Sequence, residues 1–223
     1  MAGMLYLVPT PIGNLSDISV RCRKTLEEAD FIAAEDTRVT LKLLNFLEIK
    51  KPLVSYYEHN KLESGPKIVS RIQNGETCVL VSDAGSPAIS DPGEDLVRLC
   101  AEAGITVCAI PGPCAVITAL SISGLPTGRF CFEGFLSINK KSRQEHLTGL
   151  KTERRTMIFY EAPHKLLATL KDLSAAFGED RRVSLCRELT KLHEEVVRTT
   201  LGEAVQKYTE NAPRGEFVVV VEG

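Results

Sequence analysis

Short apolar runs alternate with longer amphipathic segments along the first half of the chain. The apolar runs have strand length and predict β-strands over residues 4–8, 31–34, 77–81 and 106–110. The segments between them repeat apolar residues at helical spacing and predict helices over residues 16–29, 37–47, 61–74 and 94–103. This alternation of strands and helices predicts an α/β domain with a mostly parallel sheet.

The pattern changes after a segment rich in proline and glycine near residues 111–128. Beyond it, apolar runs predict strands over residues 130–135, 156–160, 182–186, 194–200 and 216–220. One helix is predicted over residues 164–177, and residues 139–155 form a polar, basic stretch. Because strands outnumber helices in this half, we predict two α/β domains: residues 1–112 with a mostly parallel sheet, and residues 113–223 with a mixed one.

Composition narrows the classes of function. The 27 Lys and Arg against 29 Asp and Glu give a net charge of −2, which excludes attraction to nucleic acid by bulk charge but leaves room for a local basic patch. The seven cysteines include no C-x-x-C pair, which indicates reduced core cysteines in a cytosolic protein. The four histidines are scattered, so no metal site is expected. No apolar run approaches the roughly 18 residues of a membrane span.

Three of the predicted strands run into loops rich in proline and glycine, at residues 9–14, 82–93 and 111–114. In a parallel sheet these loops lie at one edge, where open α/β sheets bind ligands. Each loop alone is also explained as a tight turn, but together they favour a ligand cleft. Walker, dinucleotide-binding and nucleophile-elbow motifs are all missing. A nucleotide-like ligand without a phosphate chain fits a cleft of backbone groups and one acidic side chain, Asp83.

The same loops carry a set of motifs that resembles a known family. The motifs lie at residues 5–15, 33–38, 81–87, 111–115, 134–136, 159–161 and 187–191. In this order they are similar to the signatures of the ribosomal RNA small subunit methyltransferase I family. That family belongs to the tetrapyrrole-methylase-like (class III) methyltransferases. The resemblance covers essentially the whole chain, with mild departures at Ser86 and Ser90.

The resemblance implies a fold, a reaction and partners. The implied fold is tetrapyrrole methylase-like, with two α/β domains and S-adenosyl-L-methionine (AdoMet) bound in the cleft between them. The implied reaction transfers a methyl group to the 2′-hydroxyl of a cytidine ribose in the decoding region of 16S rRNA. The partner is therefore the small ribosomal subunit, and the chain is expected to form a homodimer. Two alternatives stay open: a methylase of a tetrapyrrole precursor, and a non-catalytic module that binds AdoMet or RNA.

The resemblance also assigns AdoMet contacts to matching positions in both halves of the chain. In the first half these are Pro11, Ile12, Asp83, Gly85, Ala88, Ile89 and Cys114. In the second half they are Ala115, Tyr160, Glu161, Leu189, Gly215 and Glu216.

Candidates for catalysis follow the second predicted strand. A ribose hydroxyl is a weak nucleophile, so a general base would assist its attack. Glu35 and Asp36 supply carboxylates, and Arg38 supplies a guanidinium that can bind phosphate. Asp36 suits the cap of a helix equally well, and Arg38 is also explained as an exposed helix charge. His164 is a further candidate base, although its position suits the first turn of a helix.

Candidates for RNA contact lie in three places. Lys140, Lys141 and Arg143 belong to the densest basic stretch, which is either an rRNA contact or a solvated helix face. Arg187 and Glu188 are explained either as substrate contacts or as a structural ion pair. The 56–59 linker contains Tyr56, Tyr57 and His59, which would contact a flipped nucleotide unless they pack in the core, as we expect for one of the tyrosines.

Overall fold

The computed structural model describes residues 3–223 and divides into two compact units, Met1–Cys114 and Ala115–Gly223. We call them unit 1 and unit 2. The boundary at 112/113 predicted from the sequence lies just before this division. Among residues 3–223 there is no helix with the length and apolar character that a membrane span requires.

Unit 1 is built on a five-stranded sheet in which every pair of neighbouring strands is parallel. Its strands are β1 (Met4–Leu7), β2 (Phe31–Ala34), β3 (Leu53–Ser55), β4 (Cys78–Val81) and β5 (Thr106–Ala109). Their order across the sheet is β3-β2-β4-β1-β5. The helices are α1 (Val20–Glu28), α2 (Thr37–Phe46), α3 (Lys61–Gln73) and α4 (Glu94–Glu102). The predicted α/β domain with a mostly parallel sheet is confirmed.

The two faces of this sheet bury separate apolar clusters. Along β2, Ile32 and Ala34 pack in the cluster that includes Leu26 of α1 and Leu44 of α2. The alternate residues Phe31 and Ala33 pack in the cluster formed with α3 and α4. All residues of β2 and β4 are buried because helices cover both faces, as expected for a parallel sheet.

Unit 2 contains a five-stranded mixed sheet in the order β6-β7-β10-β8-β9. Its strands are β6 (Phe130–Phe135), β7 (Thr156–Glu161), β8 (Arg182–Arg187), β9 (Glu195–Thr200) and β10 (Phe217–Val221). β6 and β7 are parallel, and the other neighbours are antiparallel, which confirms the predicted mixed sheet. The helices are α5 (Ala115–Ile122), α6 (Lys140–Gly149), α7 (Pro163–Phe177) and α8 (Leu201–Glu210).

Five elements differ from the sequence prediction, each for a local reason. α6 was given only as part of a polar, basic stretch, because it contains too few apolar residues to show a helical period. β3 was missed because it is only three residues long. α5 was missed because it is apolar on most sides, which removes the periodic signal. α8 follows β9 without a loop: Thr200 ends the strand and caps the helix in a capping box with Glu203. The predicted helix 16–29 begins only at Val20, after the capping residue Ser19, and a 3-10 turn (Leu15–Asp17) precedes it.

Candidate functional site

Hydrogen bonds join the three proline- and glycine-rich loops of unit 1 directly to one another. Thr10 and Gly85 exchange two backbone hydrogen bonds, each 2.9 Å, which tie the first loop to the long one. The Thr10 hydroxyl also donates to the carbonyl of Ser82 at 3.1 Å. Ser86 donates its hydroxyl to the carbonyl of Pro113 at 3.2 Å, which brings in the third loop. The loops therefore lie together at the carboxyl edge of the sheet, as the sequence predicts.

The long loop has an unusual backbone. Ala88 and Ser90 adopt positive φ angles of 68° and 64°, which are uncommon for residues with a Cβ atom. Gly93 has φ 145°, and a Cβ at this position would lie 2.8 Å from Leu80 Cδ2 and 3.1 Å from the Ala88 Cβ. Backbone strain of this kind persists only where surrounding contacts enforce it, and it is concentrated at binding sites.

Carboxylates from two neighbouring strands meet at this edge. Asp83, after β4, accepts the backbone N–H of Asp36 at 3.1 Å. Glu35, after β2, accepts the backbone N–H of Asp83 at 3.4 Å. Asp91 at the far end of the long loop hydrogen-bonds with the Ser82 side chain. Within residues 3–223, no group of His, Cys, Asp or Glu side chains has an arrangement that would hold a metal ion.

Burial raises the pKa of three of these carboxyls. Desolvation is the largest cause for Glu35, and the charge of Asp91 adds to it. Desolvation likewise raises the pKa of Asp83 and of Asp91. An acid with a raised pKa opposes folding once it ionises, and this penalty is complete above the raised pKa and absent below the ordinary one. At neutral pH the edge is thus a partly buried anionic surface maintained at a cost in stability.

Asp36 differs from its acidic neighbours because Arg38 neutralises it. The Asp36 carboxylate caps α2 by accepting the Arg38 N–H at 2.8 Å, which confirms the capping role. The Arg38 guanidinium adds bonds of 3.0 Å to Oδ1 and 2.6 Å to Oδ2. These bonds lower the pKa of Asp36 to about 2. Arg38 itself is 87% exposed, so its cationic group faces solvent while the carboxylate holds it in place.

Every unit 1 residue expected to contact AdoMet lies on the three joined loops. Pro11 and Ile12 are half-buried on the first loop, and Ile12 packs near Gly85. Ala88 is half-buried and Ile89 is exposed on the long loop, while Cys114 ends the third loop. Two further residues at this edge, Asp91 and Thr10, were not among the contacts predicted from the sequence. Asp91 could have been predicted from the sequence, because it directly precedes Pro92 and Gly93 at the end of the long loop.

In unit 2, several predicted residues lie at one end of the mixed sheet. Glu161 ends β7 and Arg187 ends β8, and both are opposite Phe217 at the start of β10. Gly215 and Glu216 directly precede that strand. Leu189 is buried just beyond β8, and Tyr160 contacts the rings of Phe132 and Phe135. Ala115 lies elsewhere in the unit, at the start of α5.

A tight turn after β8 holds Glu188. Its carboxylate accepts the Glu216 N–H at 2.9 Å and the Lys191 ammonium at 2.8 Å. A Cβ on Gly215 would lie 2.5 Å from the Glu188 Cγ, so only glycine fits there. Arg187 donates to the Arg214 carbonyl at 2.7 Å and pairs with Glu195 at 3.2 Å. Both residues therefore belong to structural ion pairs, but with different partners: Arg187 pairs with Glu195 and Glu188 with Lys191.

Arg143 is not part of an exposed basic row. It lies half-buried on α6, where its guanidinium bonds to Asp172 at 2.5 Å and to the Thr169 hydroxyl at 2.8 Å. Thr169 in turn donates to the buried carboxylate of Glu161 at 2.5 Å. Lys140 and Lys141, by contrast, are exposed on the first turn of α6. Of the three residues predicted to contact RNA in this stretch, the two lysines are thus exposed, whereas Arg143 is held in a structural network.

The aromatic and histidine candidates differ in how far their side chains are buried. Tyr56 is fully buried in the core of unit 1, as expected for one of the tyrosines. Tyr57 and His59 are exposed. His164 is exposed in the first turn of α7, which fits its structural interpretation.

Comparison with known proteins identifies the family. Residues 4–205 match the family of tetrapyrrole (corrin/porphyrin) methylases. A Synechocystis protein named ribosomal RNA small subunit methyltransferase I is 52% identical over 99% of this chain and 79% of its own length. The chain belongs to the ribosomal RNA small subunit methyltransferase I family of tetrapyrrole methylases. The family member from Thermotoga maritima is 47% identical over 99% of both chains.

Solved structures of proteins with low sequence identity to this chain share the fold. A diphthine synthase matches with a TM-score of 0.76 at 16% identity, over 99% of this chain and 90% of its own. A uroporphyrin-III C-methyl transferase from Thermus thermophilus, complexed with S-adenyl homocysteine, matches with a TM-score of 0.67 at 17% identity. That match covers 98% of this chain and 97% of the other. These likenesses confirm the predicted tetrapyrrole methylase-like fold.

Replacing Gly93 tests how tightly the long loop is built. Gly93→Ala adds a Cβ that collides with Leu80 and Ala88, so we expect a loss of about 2–4 kcal/mol in the free energy of unfolding. Gly104→Ala is the matched control, since Gly104 has φ 69° but nothing within 4 Å of the added atom; its expected cost is about 1 kcal/mol. Urea denaturation measures both. Equal losses would show that steric closure of the loop is unimportant.

Proposed function

We propose that this chain is an AdoMet-dependent methyltransferase that modifies ribosomal RNA of the small subunit, at the 2′-hydroxyl of a cytidine ribose in the decoding region. The observation that carries the proposal is the match, over 99% of this chain, to relatives named ribosomal RNA small subunit methyltransferase I, including one of which the chain covers 99%. The choice of a cytidine and of its 2′-oxygen as the acceptor rests on the resemblance of the sequence motifs to that family.

The chemistry of the unit 1 edge fits the cofactor. Bound AdoMet would supply a methyl group activated by a positively charged sulfonium. Burial raises the pKa of Glu35, Asp83 and Asp91, although Arg38 partly opposes the shift at Asp83, and a cationic ligand would relieve the cost of keeping these carboxylates ionised. The strained backbone of the long loop offers N–H and C=O groups for a purine and a ribose. We assign cofactor binding to Pro11, Ile12, Asp83, Gly85, Ala88, Ile89 and Cys114.

Glu35 is our candidate for the general base. Its carboxylate is half-buried and accepts a long hydrogen bond of 3.4 Å from the Asp83 N–H, which leaves capacity for a proton. The raised pKa of Glu35 is closer to the operating pH, where a general base is most effective. The Asp36 carboxylate already accepts hydrogen bonds from the Arg38 N–H, as the cap of α2, and from the Arg38 guanidinium. We therefore assign Asp36 the positioning of Arg38, and Arg38 the binding of an RNA phosphate.

The unit 2 residues contribute cofactor and substrate contacts in this proposal. Buried Glu161 holds the end of β7 through bonds from Thr169 and the Ala162 N–H. Ala115, Tyr160, Leu189, Gly215 and Glu216 are assigned to AdoMet by resemblance. Arg187 and Glu188 position the turn that carries Leu189. Exposed Lys140 and Lys141 would bind rRNA phosphates, and a local patch of this kind suits docking of a homodimer on an assembled small subunit.

The direct test is a methyl-transfer assay with two acceptors and a control that contains no acceptor. The chain is incubated with labelled AdoMet and small ribosomal subunits that lack the modification, with a porphyrinoid precursor, or with no acceptor. We expect label only on 16S rRNA, and nucleoside mass spectrometry should identify 2′-O-methylcytidine. Label on the porphyrinoid would favour the tetrapyrrole alternative. AdoMet binding without transfer to either acceptor would favour the binding-module alternative and contradict the proposal.

The Glu35→Gln substitution tests the role of Glu35 as the general base separately from AdoMet binding. Loss of the base should lower kcat by about 10²–10⁴ while AdoMet affinity, measured by calorimetry, changes little. In the unaltered enzyme the base works only when deprotonated, so kcat should fall as the pH drops through the raised pKa of Glu35. The Gln variant should lack that acidic limb.

The matched control is Glu27→Gln, an exposed carboxylate on α1 paired with Arg23. It should leave both kcat and its pH dependence unchanged. A Glu35→Gln enzyme with kcat within a few fold of the original would exclude Glu35 as the base.

A further inference from the structure

The loop between β3 and α3 shares the sheet edge that carries Glu35. β3 pairs in parallel with β2, and Ala34 is opposite Ser55 in the register. The Tyr56 N–H continues this pairing by donating to the Ala34 carbonyl at 2.8 Å. Glu35 directly follows Ala34, and Tyr57 lies two residues beyond Ser55, so both residues lie just past the carboxyl ends of adjacent strands.

Three sets of contacts fix this loop in place. Tyr56 is anchored in the core. Asn60 spans the turn, because its Oδ1 accepts the Tyr57 N–H at 2.8 Å and its Nδ2 donates to the Ser55 carbonyl at 3.0 Å. Lys61 pairs with Glu58 at 2.8 Å and with Asp95 of α4 at 2.7 Å. A loop fixed in this way loses little conformational entropy when a ligand binds to it.

The fixed loop presents aromatic rings to solvent. Tyr57 is 39% exposed, and its ring meets that of exposed His59 edge-on, with centroids 6.1 Å apart and an angle of 79° between the planes. Leu62, at the start of α3, is 88% exposed beside them in sequence. Tyr56 is the tyrosine of this loop that packs in the core of unit 1. The exposed rings of Tyr57 and His59 are therefore not needed for core packing.

We propose that Tyr57 and His59 form a stacking subsite for the base of the acceptor nucleotide, and this inference rests on the proposed function. When a nucleotide is held apart from its neighbours to align its ribose hydroxyl, its base gives up stacking, and an exposed aromatic face replaces that stacking. Arg38, in the first turn of α2, supplies a cation for the adjoining phosphate. Lys61 neutralises Glu58, which reduces repulsion of RNA at the loop.

The test compares ring removal with ring retention. Tyr57→Ala, Tyr57→Phe and His59→Ala are assayed on unmodified small subunits, with Phe46→Ala as the control because Phe46 is a 57% exposed ring at the other end of α2. We expect Tyr57→Ala to lower kcat/KM for the subunit on the order of 10- to 100-fold, chiefly through KM. His59→Ala should cause a smaller loss. Tyr57→Phe and Phe46→Ala should stay within about threefold, because the ring face rather than the hydroxyl does the stacking.

Two binding measurements keep this inference separate from the proposed function. AdoMet affinity should be the same in all variants, which shows that the unit 1 edge is intact. Co-sedimentation with unmodified small subunits in the presence of S-adenosylhomocysteine should weaken only for the ring-removing variants, Tyr57→Ala above all, whether or not methyl transfer occurs. An unaltered chain that binds but does not methylate would defeat the proposed reaction and leave this comparison valid. Equal subunit binding and kcat/KM for Tyr57→Ala and Phe46→Ala, or no binding by the unaltered chain, would overturn the inference.

Discussion

Parallel pairing in unit 1 places the carboxyl ends of all five strands at one edge of the sheet. The candidate site depends on that constraint. With β2 beside β4 and β4 beside β1, the segments that follow these strands are brought together although they are distant in sequence. The Thr10–Gly85 pairing and the Ser86–Pro113 bond then fasten the loops to each other. Helices on both faces bury β2 and β4 completely, so the edge rests on a close-packed support.

The same edge concentrates negative charge that the unit itself only partly neutralises. Arg38 satisfies Asp36, but Glu35, Asp83 and Asp91 are left with raised pKa values caused mainly by burial. Structural ion pairs elsewhere in the chain lower carboxyl pKa values instead, as Arg71 does for Glu76. This contrast distinguishes a surface suited to a cationic ligand from a surface arranged for stability alone.

The sequence predicted the architecture well because periodic burial determines it. Strands and helices of unit 1 were found from their patterns, and the clustering of three loops followed from parallel pairing. Elements without a periodic signal were missed: β3 is too short, and α5 is apolar on most sides. Side-chain partners were also beyond prediction, because they depend on tertiary contacts. Arg143 is an example: it belongs to a basic stretch in the sequence but bonds to Asp172 and Thr169 of α7 in the structure.

Amide hydrogen exchange with and without S-adenosylhomocysteine tests the central claim most directly, because it locates the ligand without requiring a reaction. The account predicts slower exchange in residues 9–14, 82–93 and 111–114, the three joined loops of unit 1, while α3 (Lys61–Gln73) is unchanged. Saturating ligand that leaves these loops unaffected, or that slows exchange only in other segments, would contradict the assignment of the cofactor to this edge.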